Sequence, residues 1–239
     1  MELKEKRVGD FVKENIKTAH VFKKYGIDFC CGGGVSLERA CRKNNVDIND
    51  LIADLQKLEN APSGAHNFNN WEIDFLCDYI VNTHHAYVNE ALPMILSYAQ
   101  KVASVHGHAH PPVVEILKLF HAVAGELVPH MKVEEFVVFP YIKKLVAAKK
   151  SNQPMEAAHF STVQNPISTM ENEHEIAGNL LREISKISNN YTPPEWACNT
   201  FKALYAKLDE FEQDLHIHVH LENNILFPKA IQLESDLSK

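Results

Sequence analysis

Two eleven-residue stretches of this chain carry one pattern: His130-Met-Lys-Val-Glu134-Glu-Phe-Val-Val-Phe139-Pro140 and His218-Val-His-Leu-Glu222-Asn-Asn-Ile-Leu-Phe227-Pro228. In each, a Glu follows the His by four positions and a Phe-Pro begins nine positions after it, and the copies lie 88 residues apart. On a helix, positions i and i+4 share a face, so each copy presents an imidazole beside a carboxylate. Two such pairs constrain the chain to a helical fold in which two helices offer ligands to one shared metal site.

The hydrophobic spacing around the pairs predicts where they point. Apolar residues stand at −10, −7, −3 and +7 from His130 (Phe120, Val123, Leu127, Val137) and from His218 (Leu208, Phe211, Leu215, Ile225). This is the seam of a core-facing helix. His174 has Met170, Ala177, Leu181 and Ile184 on its stripe, and His85 has Val81, Val88, Leu92 and Ile95 at the same offsets. His84 fits that register less well and is the fallback for His85. The separation of His85 from His174 is 89 residues, close to the 88 between the His-x3-Glu copies, as expected of a duplicated helical hairpin. His216 and His220 lie about 200° around the helix from His218, at about 100° per residue, and are expected at the surface, as is Glu135. Glu171-Asn-Glu-His174 fits Glu-x2-His, an element of ferritin-like sites. Its equivalent in the first helix would start at Asn82, so the element is not duplicated.

The spacing predicts an all-α chain. Long helices are expected near 71–104, 112–147, 166–188 and 194–232, with breaks at His106-Gly-His-Ala-His-Pro-Pro112, the polar piece 148–165, and Ser188-Asn-Asn-Tyr-Thr-Pro193-Pro194. Short connections make consecutive helices antiparallel neighbours in a four-helix bundle. Residues 61–70 have linker composition, dividing the bundle (71–239) from an N-terminal module (1–60) of three short helices. In that module Val8, Phe11, Val12, Ile16 and Ala19 form the first stripe, Gly26 is a stop, Ser36 an N-cap and Leu51, Ile52, Leu55 and Leu58 the last stripe.

Within the module lies Asp28-Phe-Cys30-Cys31-Gly32-Gly33-Gly34. Two thiols shortly before a helix N-terminus are expected to favour thiolate, and so to act as nucleophiles or soft metal ligands. The spacing is not that of a zinc ribbon. Five Cys with one adjacent pair form no disulfide framework, and Cys41, Cys77 and Cys198 are expected to be packing residues.

Four core-facing His and two core-facing Glu need a partner. Buried carboxylates repel each other and are costly alone; a pair of dications removes both problems, and mixed imidazole and carboxylate ligands suit iron or manganese. The symmetrical arrangement has His85 and His130 at one ion, His174 and His218 at the other, and Glu134 and Glu222 bridging. His106, at a helix end, is a candidate fifth ligand; His108 and His110 are expected in the loop. A net charge of −7 argues against a nucleic-acid partner, no apolar run approaches a membrane span, and the start does not read as a signal peptide. A cytoplasmic protein is expected.

The short module with Phe29-Cys30-Cys31-Gly-Gly, followed by Met170-Glu-Asn-Glu-His174 and the two His-x3-Glu stretches, resembles the iron–sulfur cluster repair proteins, the Repair of Iron Centers family, over nearly the whole chain. The resemblance implies a hemerythrin-like bundle holding an oxo- and carboxylate-bridged pair of non-haem irons. It implies ligands at His85, His130, Glu134, His174, His218 and Glu222, a thiol pair at Cys30 and Cys31, and damaged iron–sulfur proteins as partners. Damage by nitric oxide or oxidants would be reversed by supplying iron. The competing expectations are reversible O2 or nitric oxide binding, and reduction of nitric oxide or peroxide. A homodimer is one option for the assembly. Departures from the family pattern are Gly34, the extra His at 106–110 and the longer segment 148–165.

Overall fold

The computed structural model describes residues 3–59, 67–152 and 160–238. Most of the expected linker at 61–70, and the middle of the polar piece 148–165, fall outside them. Among the described residues the chain is all-α, with an isolated bridge between Arg7 and Ser36 as its only extended pairing. Eleven α-helices are described: α1 Val8–Glu14, α2 Thr18–Lys24, α3 Leu37–Asn44, α4 Ile48–Glu59, α5 Ile73–Ile80, α6 Ala86–His106, α7 Pro112–Val133, α8 Phe139–Ser151, α9 Gln164–Ile187, α10 Asn199–Leu221 and α11 Phe227–Leu237. Three π turns, Val81–His85, Glu134–Val138 and Glu222–Leu226, join α5 to α6, α7 to α8 and α10 to α11 without interrupting the rods.

The chain forms two compact units: Met1–Leu76 with Leu145–Met155 and His216–Lys239, and Cys77–Lys144 with Glu156–Leu215. In the second, α7 packs against α6 and α9, and the part of α10 up to Leu215 supplies the fourth helix. Phe211 meets Phe120 edge-on at 5.3 Å between ring centroids, and Tyr87 at 6.3 Å. The predicted stripes are its core: Val88, Leu92, Ile95, Phe120, Val123, Leu127, Met170, Ala177, Leu181, Ile184, Leu208, Phe211 and Leu215 are all buried.

The first unit contains the N-terminal module, and there the first expected helix is two. Asn15 accepts the Lys17 N–H on its side chain at 3.1 Å, offering the backbone a turn in place of another helical bond. Thr18 returns its N–H and hydroxyl to the Asn15 carbonyl at 2.9 and 2.8 Å, starting α2. Phe11 and Phe22 then pack edge-on at 5.9 Å across the break. Gly26, at φ +65°, ends α2, a conformation costly for residues with a Cβ. Ser36 caps α3 by accepting the Arg39 N–H.

Two of the three π turns share a sequence feature. Pro140 and Pro228 lack an N–H for the carbonyls of Phe136 and Asn224, four residues earlier, and crowd them. Both carbonyls lie inside π turns, so in each copy the Phe-Pro that ends the motif accompanies a wide turn beginning on its Glu.

Candidate metal centre

In the bundle unit, four buried side chains converge. His85 Nε2 lies 3.3 Å from Glu134 Oε2, and His130 Nε2 lies 3.4 Å from Glu134 Oε1, so the two oxygens of one carboxylate address two different imidazoles. His174 Nε2 is 3.0 Å from His130 Nε2. None of the four exceeds 3% exposure, and the ligand atoms of His130, Glu134 and His174 all lie within 4.8 Å of one another, close enough to hold a cation. The partnership of His130 with His174 corrects the expected grouping of His130 with His85. His130 and His174 face each other directly, and His85 reaches the far oxygen of Glu134.

The outer face of two of these rings is also held. His85 Nδ1 donates to Glu135 at 2.7 Å and His130 Nδ1 donates to Glu173 at 2.7 Å. A carboxylate can only accept, so the proton sits on Nδ1 and the lone pair of a neutral ring sits on Nε2, facing Glu134. Lone pairs turned toward a carboxylate call for a positive charge between them, and a dication supplies it where two extra protons would otherwise be needed. Carboxylates behind the ring are the usual outer support of metal-binding imidazoles. Glu135, expected to be solvated, therefore backs His85, and Glu173 backs His130 where Glu171 is exposed.

His84, the poorer fit to the stripe, is buried beside His85. The π turn Val81–His85 adds a residue to the turn, and both imidazoles face inward, at 4% and 1% exposure. They diverge in partner, because His84 Nδ1 lies 3.0 Å from Asp214 while His85 Nε2 faces Glu134. The same extra residue moves the stripe after His130 from Val137, half-buried, to Val138, fully buried.

His106 does not join this cluster. It lies 21 residues beyond His85 on the same continuous rod, about 31 Å at the α-helical rise. There it packs on Trp196 and Phe201 with Nε2 3.4 Å from Cys198 Sγ. Cys198, expected in packing, is exposed; Cys41 and Cys77 are buried. His108 is exposed in the turn, and His110 packs on Trp196 and Phe201.

In the other unit, the second copy of the motif repeats the geometry of the first. His218 Nε2 lies 3.1 Å from Glu222 Oε1, and both are buried, at 1% and 0% exposure. His220 is a correction: it is fully buried. The helix face opposite His218 is covered by the cysteine loop, whose Phe29 ring stands 5.9 Å from His220 and 5.8 Å from the half-buried His216. Burial holds His220 down to about 4, so it is neutral at physiological pH. Asn224 Nδ2 donates to the Cys30 carbonyl at 3.0 Å and lies 3.2 Å from His220 Nδ1. Asn223 Nδ2 is 4.0 Å from Cys31 Sγ.

The cysteine loop also departs from expectation. The α3 N-terminus is capped by Ser36 and begins only at Leu37, so its dipole, which fades within a turn, does not act on Cys30. Cys30 is buried, and its thiol is pushed well above the usual range by the adjacent Cys31 thiol, by burial and by Asp28. Its surroundings therefore favour the protonated thiol over the thiolate.

Two family models match the chain. A domain of unknown function (DUF542) covers residues 4–59, and the hemerythrin HHE cation binding domain covers residues 78–230. Among curated relatives, the iron–sulfur cluster repair protein YtfE of Yersinia pseudotuberculosis serotype IB is 36% identical over 214 residues, covering 90% of this chain and 91% of the relative. The protein of the same name from Yersinia pestis strain Pestoides F is 35% identical over 218 residues, covering 91% and 93%. No described helix is long and apolar enough to cross a membrane. With a short cysteine-bearing module ahead of a hemerythrin-like cation-binding bundle, and relatives matched over nine-tenths of its length, the chain belongs to the YtfE family of iron–sulfur cluster repair proteins.

Proposed function

We propose that this protein restores damaged iron–sulfur clusters by supplying iron held as a pair of ions in its bundle. The observation that carries this reading is Glu134, a fully buried carboxylate with one oxygen toward His85 and the other toward His130. That is the posture of a bridge between two ions. His130 and His174 would serve one iron and His85 the other. His218 and Glu222, which repeat His130 and Glu134 in spacing and burial, would complete the second iron and supply the second bridge. Bound there, iron would have its charge matched by carboxylates and would keep positions for exchange, since four imidazoles and two bridges leave each ion short of six ligands.

The chain's residues each have a task in this scheme. Glu135 and Glu173 orient His85 and His130 and raise their basicity as ligands. The π turns aim the two Glu. Cys30 and Cys31 pass iron outward to a damaged iron–sulfur protein, the class of client named in the relatives. The scheme needs no membrane and no nucleic acid.

The test is repair of a nitric-oxide-damaged iron–sulfur enzyme by the full chain loaded with isotopically labelled iron. Recovery of activity with label in the client's cluster is expected. Cys30→Ser with Cys31→Ser should keep the bundle iron and lose repair. Equal repair by protein stripped of iron would overturn the proposal.

A further inference from the structure

We propose that Asp28, Cys30 and Cys31 form a second cation site of different chemistry, taking one thiophilic dication such as ferrous iron. The identity of the cargo rests on the iron-supply reading; the site itself does not.

The three ligand atoms already stand close enough together to hold one ion. Cys30 Sγ is 3.9 Å from Cys31 Sγ and 3.2 Å from Asp28 Oδ1, and all three atoms lie within 4.8 Å of one another. Metal–thiolate bonds near 2.3 Å and metal–carboxylate bonds of 2.0–2.2 Å at tetrahedral angles place two sulfurs about 3.8 Å apart and sulfur and oxygen about 3.6 Å apart. The two distances from Cys30 Sγ match these to within a few tenths of an ångström. Side chains of adjacent residues usually diverge; here a tight fold turns both thiols to one side. The Asp28 carboxylate accepts the Cys30 N–H at 3.0 Å. Gly33 lies so close under the loop that a Cβ on it would come 2.3 Å from the Phe29 carbonyl. Gly9 donates to the Gly33 carbonyl at 2.8 Å, tying the loop to α1.

The site has a closed side and an open one. Cys30 is buried, whereas Asp28 and Cys31 are half-buried, so an ion held there keeps a face for an incoming ligand. Asn224 clamps the Cys30 carbonyl and Asn223 points its amide at Cys31. Both asparagines follow Glu222 in its π turn. The loop is thus fastened to the turn that bears a proposed bundle ligand, as a relay for outgoing iron requires. Two sulfurs and one oxygen select ferrous, zinc or cobaltous ions over magnesium or calcium. Binding is ligand exchange without redox change: both thiols release their protons to solvent and the carboxylate enters as the third ligand.

Cobaltous ion is the probe, titrated anaerobically into reduced, iron-loaded, full-length protein. One equivalent should give the sulfur-to-cobalt charge-transfer absorption of a tetrahedral thiolate site. Cys30→Ser with Cys31→Ser should abolish that band. Asp28→Asn should weaken binding about tenfold through loss of ligand charge. Asparagine keeps an oxygen for the Cys30 N–H, so the loop retains its turn. Iron content of the bundle should be unchanged in each variant, which separates this site from the imidazole cluster. Absence of the band in the native chain, or wild-type affinity in Asp28→Asn, overturns the proposal. A thiolate band in a chain whose bundle holds no iron would leave this site standing and sink the reading of the bundle.

Discussion

Removing the carboxylate behind His130 should loosen iron without unfolding the protein. Glu173 accepts from His130 Nδ1 at 2.7 Å, and its side chain is 31% exposed. A charge-assisted bond of that kind is worth about 1.5–3 kcal/mol when well buried, and solvent screening places this one toward the lower end. In Glu173→Ala the ring loses the partner that fixes its tautomer, and Nε2 becomes a weaker and less well-aimed ligand. Loss of such outer support costs about 10- to 100-fold in metal affinity, or about 1.4–2.7 kcal/mol, and the two routes to the magnitude agree. Glu135→Ala should act similarly through His85, held at 2.7 Å by a carboxylate 28% exposed. Because the two Glu back different rings, the double variant should approach the sum of the single effects, with any shortfall reporting coupling through Glu134. The assay is the rate of iron loss to a competing chelator, with thermal melting of the metal-free protein as control. Glu173→Gln, which still accepts but carries no charge, should fall between. If Glu173→Ala and Glu135→Ala both held iron as the native chain does, the argument from ring orientation would be refuted.

Pro140→Ala with Pro228→Ala should let the π turns relax toward α-helix, lowering iron content while far-UV helicity holds or rises. Phe211→Ala opens the centre of the bundle where Phe120 and Tyr87 meet and should cost about 3–5 kcal/mol in unfolding free energy, read from denaturant melts. The Asp54 carboxylate is held well below its usual range by Lys24, Lys57 and Tyr25. Its folded value lies below its unfolded one, so its contribution is complete above about pH 4 and is lost as pH falls further. Asp54→Asn should flatten that part of the acid-unfolding curve, and an unaltered curve would mean that the cluster contributes nothing.

The sequence carried the fold because apolar spacing and the buried stripes coincide: residues from Val88 on α6 to Leu215 on α10 lie where a period near 3.6 puts them. The six proposed ligands were also read from it, on the ground that a duplicated His-x3-Glu in a seam has few other uses. What it hid follows from two physical causes. Where the period itself changes, pattern reading slips by one residue, and so Val138 takes the place of Val137. The Phe-Pro pairs were the signal for two of these turns. The other cause is tertiary cover, which no helical wheel contains. His220 points away from the seam yet is buried under Phe29, and Glu135 points away yet finds His85. Cys30 lies before a helix but beyond reach of its dipole, and burial governs its thiol instead.

Metal analysis and Mössbauer spectroscopy of the native chain beside Glu134→Ala with Glu222→Ala test the central claim most directly. The account predicts about two irons per chain, as in carboxylate-bridged bundles, magnetically coupled in the native protein and lost from the double variant. Iron absent from the native chain, or retained and still coupled without the two carboxylates, would contradict it.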